Sequence, residues 1–144
     1  MSDPGCDTAR EAAIRANDPR MAEDHDERRR RLARAFTEAL PAPEEIREDW
    51  GLLIVDTVLP NGVWSRPGLS LRDRSLITIA ALTALHRPNE LRLHIGRGLD
   101  NGLSRAEIGE LIMHMAIYGG FPVAVEGMRI AREVFDARDA AEKG

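Results

Sequence analysis

A chain of 144 residues is long enough to bury one core without disulfides or metals, and a content of 43% apolar and 31% charged residues excludes a disordered or fibrous class. The net charge is −4, with arginines mixed among acids rather than gathered into long basic stretches, so the electrostatic footprint of a nucleic-acid binder is missing. The longest apolar run, Leu76 to Leu85, is about half of a membrane span, and the amino-terminal MSDPGCDTAR has no apolar stretch; neither a membrane segment nor a secretory signal is expected, and a cytoplasmic location follows.

Along the chain, helical spacing recurs from about residue 27 onward and no segment alternates with period 2, so an all-α, single-domain bundle of about six helices is expected over residues 27–144, preceded by a mobile segment 1–26. A loose helix around Thr8 to Arg15 is the one element expected inside that segment, and Cys6, the single cysteine, rules out an intramolecular disulfide and a dithiol centre. Leu32, Ala35, Phe36, Ala39 and Leu40 form the first apolar stripe, ended by Pro41 and Pro43. Ile46, Trp50, Leu53, Ile54 and Thr57 mark a second helix, stopped by Pro60-Asn61-Gly62. Val63 to Ser70 reads as an irregular loop carrying Trp64 and Arg66, because Pro67 holds Arg66 extended and Gly68 invites a turn.

Leu71 to His86 is apolar almost all round, which predicts a buried central helix. A fourth helix opens near Pro88 and ends at Asn101-Gly102. Ser104-Arg105-Ala106-Glu107 has the form of a capping box, and Ile108, Leu111, Ile112, Met115 and Ala116 form the stripe of the helix that follows it. Tyr118-Gly119-Gly120-Phe121-Pro122 breaks that helix, and Ala124, Met128, Ala131 and Phe135 line the last one.

The chemistry concentrates on the fourth helix. Arg87, Glu90, His94 and Arg97 are spaced 3, 4 and 3 apart and share one face, beside an apolar stripe of Leu91, Ile95 and Leu99. A carboxylate one turn before an imidazole can orient it and favour its protonated form, which makes His94 and Glu90 a candidate general-acid pair; a solvated helix face fits the same spacing. His114 and Tyr118 are one turn apart on the fifth helix, where half-buried packing is the plainer reading. Arg66 could clamp a carboxylate with its planar fork, and Arg74, with Arg72, flanks the start of the buried helix, placed equally well for a ligand or for an acid at a subunit contact. The four histidines, at 25, 86, 94 and 114, are scattered, so no metal site is expected.

Five blocks in order, WSRPGL at 64–69, RSLITIA at 74–80, ELRLH at 90–94, NGLSRAEI at 101–108 and YGGFP at 118–122, resemble the 4-carboxymuconolactone decarboxylase family. The resemblance implies an alkylhydroperoxidase D-like helical fold assembled as a homotrimer or homohexamer, with sites near subunit contacts. It also implies a cofactor-free decarboxylation of a small anionic lactone in aromatic catabolism. On that resemblance His94 delivers a proton, Glu90 orients it, Arg66 grips the spare carboxylate, Trp64 forms an apolar wall, and Arg87 or Tyr118 donates to an oxyanion, with Arg74 and His114 also lining the site. Two departures stand out. The Cys-x-x-Cys-x-x-x-His of the peroxidase branch falls on Arg87 to His94 with both thiols absent, and that branch's upstream glutamate falls on Ser75, so disulfide chemistry is excluded. Thr57 to Gly62 replaces an Ala-Trp-Gly stretch typical of the decarboxylases, and Gly119 stands where many have cysteine, which opens the alternatives of another cofactor-free isomerisation, ring opening or decarboxylation, or of a non-catalytic anion-binding oligomer.

Overall fold

A computed structural model describes residues 19–59 and 62–144, with side chains from residue 25 onward. Every regular element is helical, as the periodicity predicts: α1 (Pro19–Ala39), α2 (Arg47–Thr57), α3 (Leu71–Ala84), α4 (Pro88–Asp100), α5 (Arg105–Tyr118) and α6 (Phe121–Glu142), with single 3-10 turns at Glu44–Ile46 and Val63–Ser65. The helix expected around Thr8 to Arg15 lies outside the described residues. The described residues fall into two compact units, one ending at Arg66 and the other beginning at Pro67.

In the first unit α1 packs on α2. The buried face of α1 is Ala33 and Thr37, flanked by half-buried Leu32, Phe36 and Leu40, while Ala35 and Ala39 of the expected stripe face solvent. For the second expected helix the correction is larger: Gly51, Ile54 and Val55 of α2 are buried, and Ile46 of the preceding turn and Trp50, Leu53 and Thr57 of α2 are exposed. The cause is a close approach. A Cβ on Gly51 would lie 2.6 Å from the Ala33 carbonyl oxygen, so the two backbones meet where the side chains are smallest and the larger apolar groups rotate outward. Arg29 closes the contact from the edge, its Nε donating to Asp56 Oδ1 at 2.7 Å.

The second unit holds one core built from α3 to α6, centred on Ile79, Leu91, Ile95, Leu103, Ile108, Ile112 and Ile130. Ile79, Ile95, Ile108, Ile112 and Ile130 are fully buried, and each such side chain contributes on the order of 1.5–3 kcal/mol. The helix over 71–84 is present but is not buried all round. Only Ser75, Ile79 and Thr83 are buried, and Leu71, Leu76 and Ile77 are exposed, because within the second unit one face meets α4 to α6 and the other does not. On α6, Ala124, Gly127, Ile130 and Ala131 are buried and Met128 is exposed, since Gly127 packs against Ile112.

The caps follow the sequence closely. Ser70 Oγ accepts from the Asp73 N–H at 3.0 Å at the start of α3. The capping box of α5 is complete: the Glu107 N–H donates to Ser104 Oγ at 3.1 Å, and the Ser104 N–H donates to Glu107 Oε2 at 2.8 Å. Helix α4 ends in a Schellman turn on Gly102, φ +96°, in which the Leu103 N–H reaches the Gly98 carbonyl at 2.9 Å. Helix α3 ends in the same motif with His86 at φ +51° in the glycine position, and the Arg87 N–H donates to the Leu82 carbonyl at 3.0 Å. That turn fixes where α4 begins.

Candidate functional site

The row expected on the fourth helix is present on α4. Arg87 is the N-cap residue, Pro88 opens the helix, Glu90 lies in the first turn and Arg97 in the last. Leu91, Ile95 and Gly98 are buried beside the row. The helix is held from two sides. Against α3, a Cβ on Gly98 would lie 2.9 Å from Ile79 Cδ1, and Asn101 Nδ2 donates to the buried Ser75 Oγ at 2.9 Å. From α6, Arg138 donates to the Gly96 carbonyl at 2.8 Å and to Asp100 Oδ1 at 2.7 Å, and Glu133 pairs with Arg92 at 2.5 Å. A helix tied at both ends and along its length presents its side chains from a fixed frame.

Arg87 and Glu90 are exposed, whereas His94 and Arg97 are half-buried. Burial holds the His94 imidazole below its ordinary pKa, the Arg97 charge pushes the same way, and the Glu90 charge opposes them as the smallest influence. Glu90 does favour the protonated imidazole, as its spacing predicts, but it is outweighed. Desolvation and a cation one turn on outweigh an exposed carboxylate, and the balance favours the neutral imidazole. Glu90 acts on it as the opposing charge.

His114 and Tyr118 stand together on α5 with ring centroids 5.0 Å apart and tilted by 45°. They are exposed rather than half-buried, Tyr118 at 72%, within a stretch that also exposes Met113, Ile117, Phe121 and Val125. Arg74 lies half-buried on α3, next to Ser75. Its neighbour Arg72 pairs with Glu107, the capping-box acid of α5, so it serves the fold. Trp64 and Arg66 belong to the first unit, in and just after the 3-10 turn Val63–Ser65, with Trp64 half-buried and Arg66 exposed. The structure thus gathers Arg87, Glu90, His94 and Arg97 on one helix, pairs His114 with Tyr118 on another, and sets Arg74 on a third.

Two contributors were not singled out from sequence. Arg97 was visible as the last member of the row, but its weight on His94 exceeds that of Glu90 because both residues are half-buried. The other is the Asn101–Ser75 bond, which nothing in the local pattern announces. Among the described residues no group of three or more His, Cys, Asp or Glu is placed to hold a metal ion, and no helix is long and apolar enough to cross a membrane.

Comparison with known proteins agrees with the residue blocks. The model of the carboxymuconolactone decarboxylase family matches residues 55–133. A 4-carboxymuconolactone decarboxylase of Acinetobacter baylyi is 49% identical over 82 residues, 56% of this chain and 61% of that protein. A nitrosuccinic acid decarboxylase of Metarhizium robertsii is 35% identical over 82 residues, 57% of this chain and 56% of that protein. An uncharacterized 15.0 kDa protein of Paracoccus denitrificans is 30% identical over 122 residues, 75% of this chain and 85% of that protein. The chain therefore spans roughly three-fifths of the length of the two named decarboxylases.

Proposed function

The chain belongs to the carboxymuconolactone decarboxylase family, and from that premise we propose that it is a carboxy-lyase that removes CO2 from a small carboxylated anion without a cofactor, 4-carboxymuconolactone being the first candidate. The observation that carries the reading is His94, half-buried on a braced helix between a carboxylate and a guanidinium. The names of the two decarboxylase relatives point to substrates with one chemical property in common, an electron-withdrawing group that can take up the pair released with CO2: a lactone carbonyl in one, a nitro group in the other. Such a substrate is its own electron sink.

In the lactone case the carbon–carboxylate bond breaks, CO2 leaves, and the pair moves through the ring to the lactone carbonyl as a furanolate. A ring carbon then takes a proton, and the proton donor recovers its own from solvent. Arg87, a cation at the N-terminal end of α4 where the helix dipole also favours negative charge, donates to the developing oxyanion, with Tyr118 as the alternative donor. His94 is the proton donor. Its depressed pKa makes it a stronger acid once protonated, and a bound carboxylate beside it supplies the negative charge that restores the proton. This assignment rests on the second unit alone.

The sign of the shift gives a test. The protonated form does the work, so kcat/KM should fall as pH rises through a free-enzyme value below 6.5. The matching limb of kcat should lie at higher pH, because the substrate's charge raises the same group in the complex. Arg97→Gln should move the kcat/KM limb upward and Glu90→Gln should move it downward. A kcat/KM that does not change between pH 5 and 8 would remove His94 from proton transfer.

Assembly as a homotrimer or homohexamer belongs to the same proposal. Leu76, Ile77, Met113, Ile117, Phe121 and Val125 of the second unit are exposed large apolar side chains, more than a monomer ordinarily leaves to water. Light scattering at micromolar concentration should give a mass of three or six chains, and a monomer there would count against the assembly.

A further inference from the structure

In the first unit, α1 and the start of α2 enclose a groove of about 400 Å3 lined by Arg30, Ala33, Arg34, Glu44, Arg47 and Glu48. It is built entirely from residues 30–48 and shares no residue with the row on α4. The charges that line it are not balanced. Arg47 is engaged by Glu44 at 2.7 Å, and the neighbouring Arg29 is engaged by Asp56. The guanidinium groups of Arg30 and Arg34 make no ion pair or hydrogen bond among the described residues, and Glu48 likewise has no partner there. Two cations thus face the groove against one acid.

Arg30 and Arg34 are one turn apart on the same face of α1, so their like charges repel. An oxyanion seated between them would convert that repulsion into two charge-assisted contacts, and the planar fork of each guanidinium suits the oxygens of a carboxylate or a phosphate. The apolar floor at Ala33, 2% exposed, excludes water from one side and strengthens such contacts. Glu48 sets the limit: it opposes an anion on its own side of the groove, so affinity depends on how far the ligand keeps from it.

We infer that this groove is a binding site for a small multivalent oxyanion, a phosphate or a di- or tricarboxylate, held by Arg30 and Arg34. The test is calorimetric titration of the full chain with inorganic phosphate and, separately, with citrate, at constant ionic strength so that general screening does not change. One site per chain is expected, and the stronger of the two probes identifies the source of the oxyanion. Arg30→Gln and Arg34→Gln should each weaken that binding at least tenfold. Arg34→Lys should fall between wild type and Arg34→Gln, and Glu48→Gln should tighten binding severalfold. Melting curves of the same variants should match wild type, since neither arginine is part of a described contact. His94→Ala should bind the probe as wild type does, which separates this groove from the row on α4 and from the proposed reaction. Unchanged affinity in both Gln variants, no binding of either probe at millimolar concentration, or loss of binding in His94→Ala would each overturn the assignment.

Discussion

Under the proposed decarboxylation, replacing His94 with alanine is expected to lower turnover of the substrate by about 10²- to 10⁴-fold, the range of a positioned general acid, with the thermal midpoint nearly unchanged. The second half of that expectation comes from packing. His94 lies beside the buried face formed by Leu91, Ile95 and Gly98, and α4 is held by Ile79, Asn101–Ser75 and Arg138 without it. Glu90→Gln should cost far less, a few-fold at neutral pH, because the Glu90 charge is the smallest of the influences on the imidazole. Adding Glu90→Gln to His94→Ala should then cost almost nothing more, since the carboxylate has no remaining proton donor to act on. There is a stability counterpart. The folded pKa of His94 is below the ordinary 6.5, so between those two values the unfolded chain binds more protons and stability rises with pH. His94→Ala should remove that part of the acid sensitivity. Measuring CO2 release and melting for the three variants decides the matter: near-wild-type turnover in His94→Ala removes the proton donor, and an unfolded His94→Ala assigns the residue to the fold.

Much of this was legible in the sequence, and the exceptions have a common physical origin. The capping box at Ser104–Glu107, the stripe of α5 and the row on α4 are local patterns, set by residues within one or two turns of each other, and they appear as read. What a local pattern cannot carry is which side of an apolar helix another element covers. Helix α3 is apolar almost all round after its first turn, yet only Ser75, Ile79 and Thr83 are enclosed. His94 gives the electrostatic version of the same lesson: spacing shows Glu90 and Arg97 as neighbours of equal standing, and only burial decides that the proton is disfavoured. The groove at Arg30, Arg34 and Arg47 was likewise hidden, because it exists only once the turn after Pro43 brings the start of α2 back to α1. Comparison with relatives reached further than spacing for the family, since the family model spans residues 55–133 while the geometry alone admits several anion chemistries.

Helix α2 supplies the prediction with the largest effect on stability. Alanine is normally favoured over glycine within a helix by about 1 kcal/mol, so sequence reasoning alone would expect Gly51→Ala to stabilise α2. The packing reverses the sign. A Cβ at position 51 would lie 2.6 Å from the carbonyl oxygen of Ala33 and 3.0 Å from its carbonyl carbon and Cβ. Two of those three atoms are backbone, in a helix that cannot yield at one residue without losing its hydrogen bonds. The helices must separate, which loosens Ile54 and Val55 and strains the Arg29–Asp56 bridge. Overpacking of this kind costs about 1–3 kcal/mol, enough to exceed the propensity gain, so the first unit should lose roughly 1–2 kcal/mol. Gly96→Ala is the matched control. It makes the same replacement in mid-helix on α4, where the added Cβ meets only the flexible end of Arg138 at 3.7 Å, and it should be neutral or stabilising by up to about 1 kcal/mol. Urea titration of both variants, with midpoint and slope compared against wild type, reads the two signs directly. A Gly51→Ala chain as stable as the parent would mean that the α1–α2 contact is not set by the missing side chain.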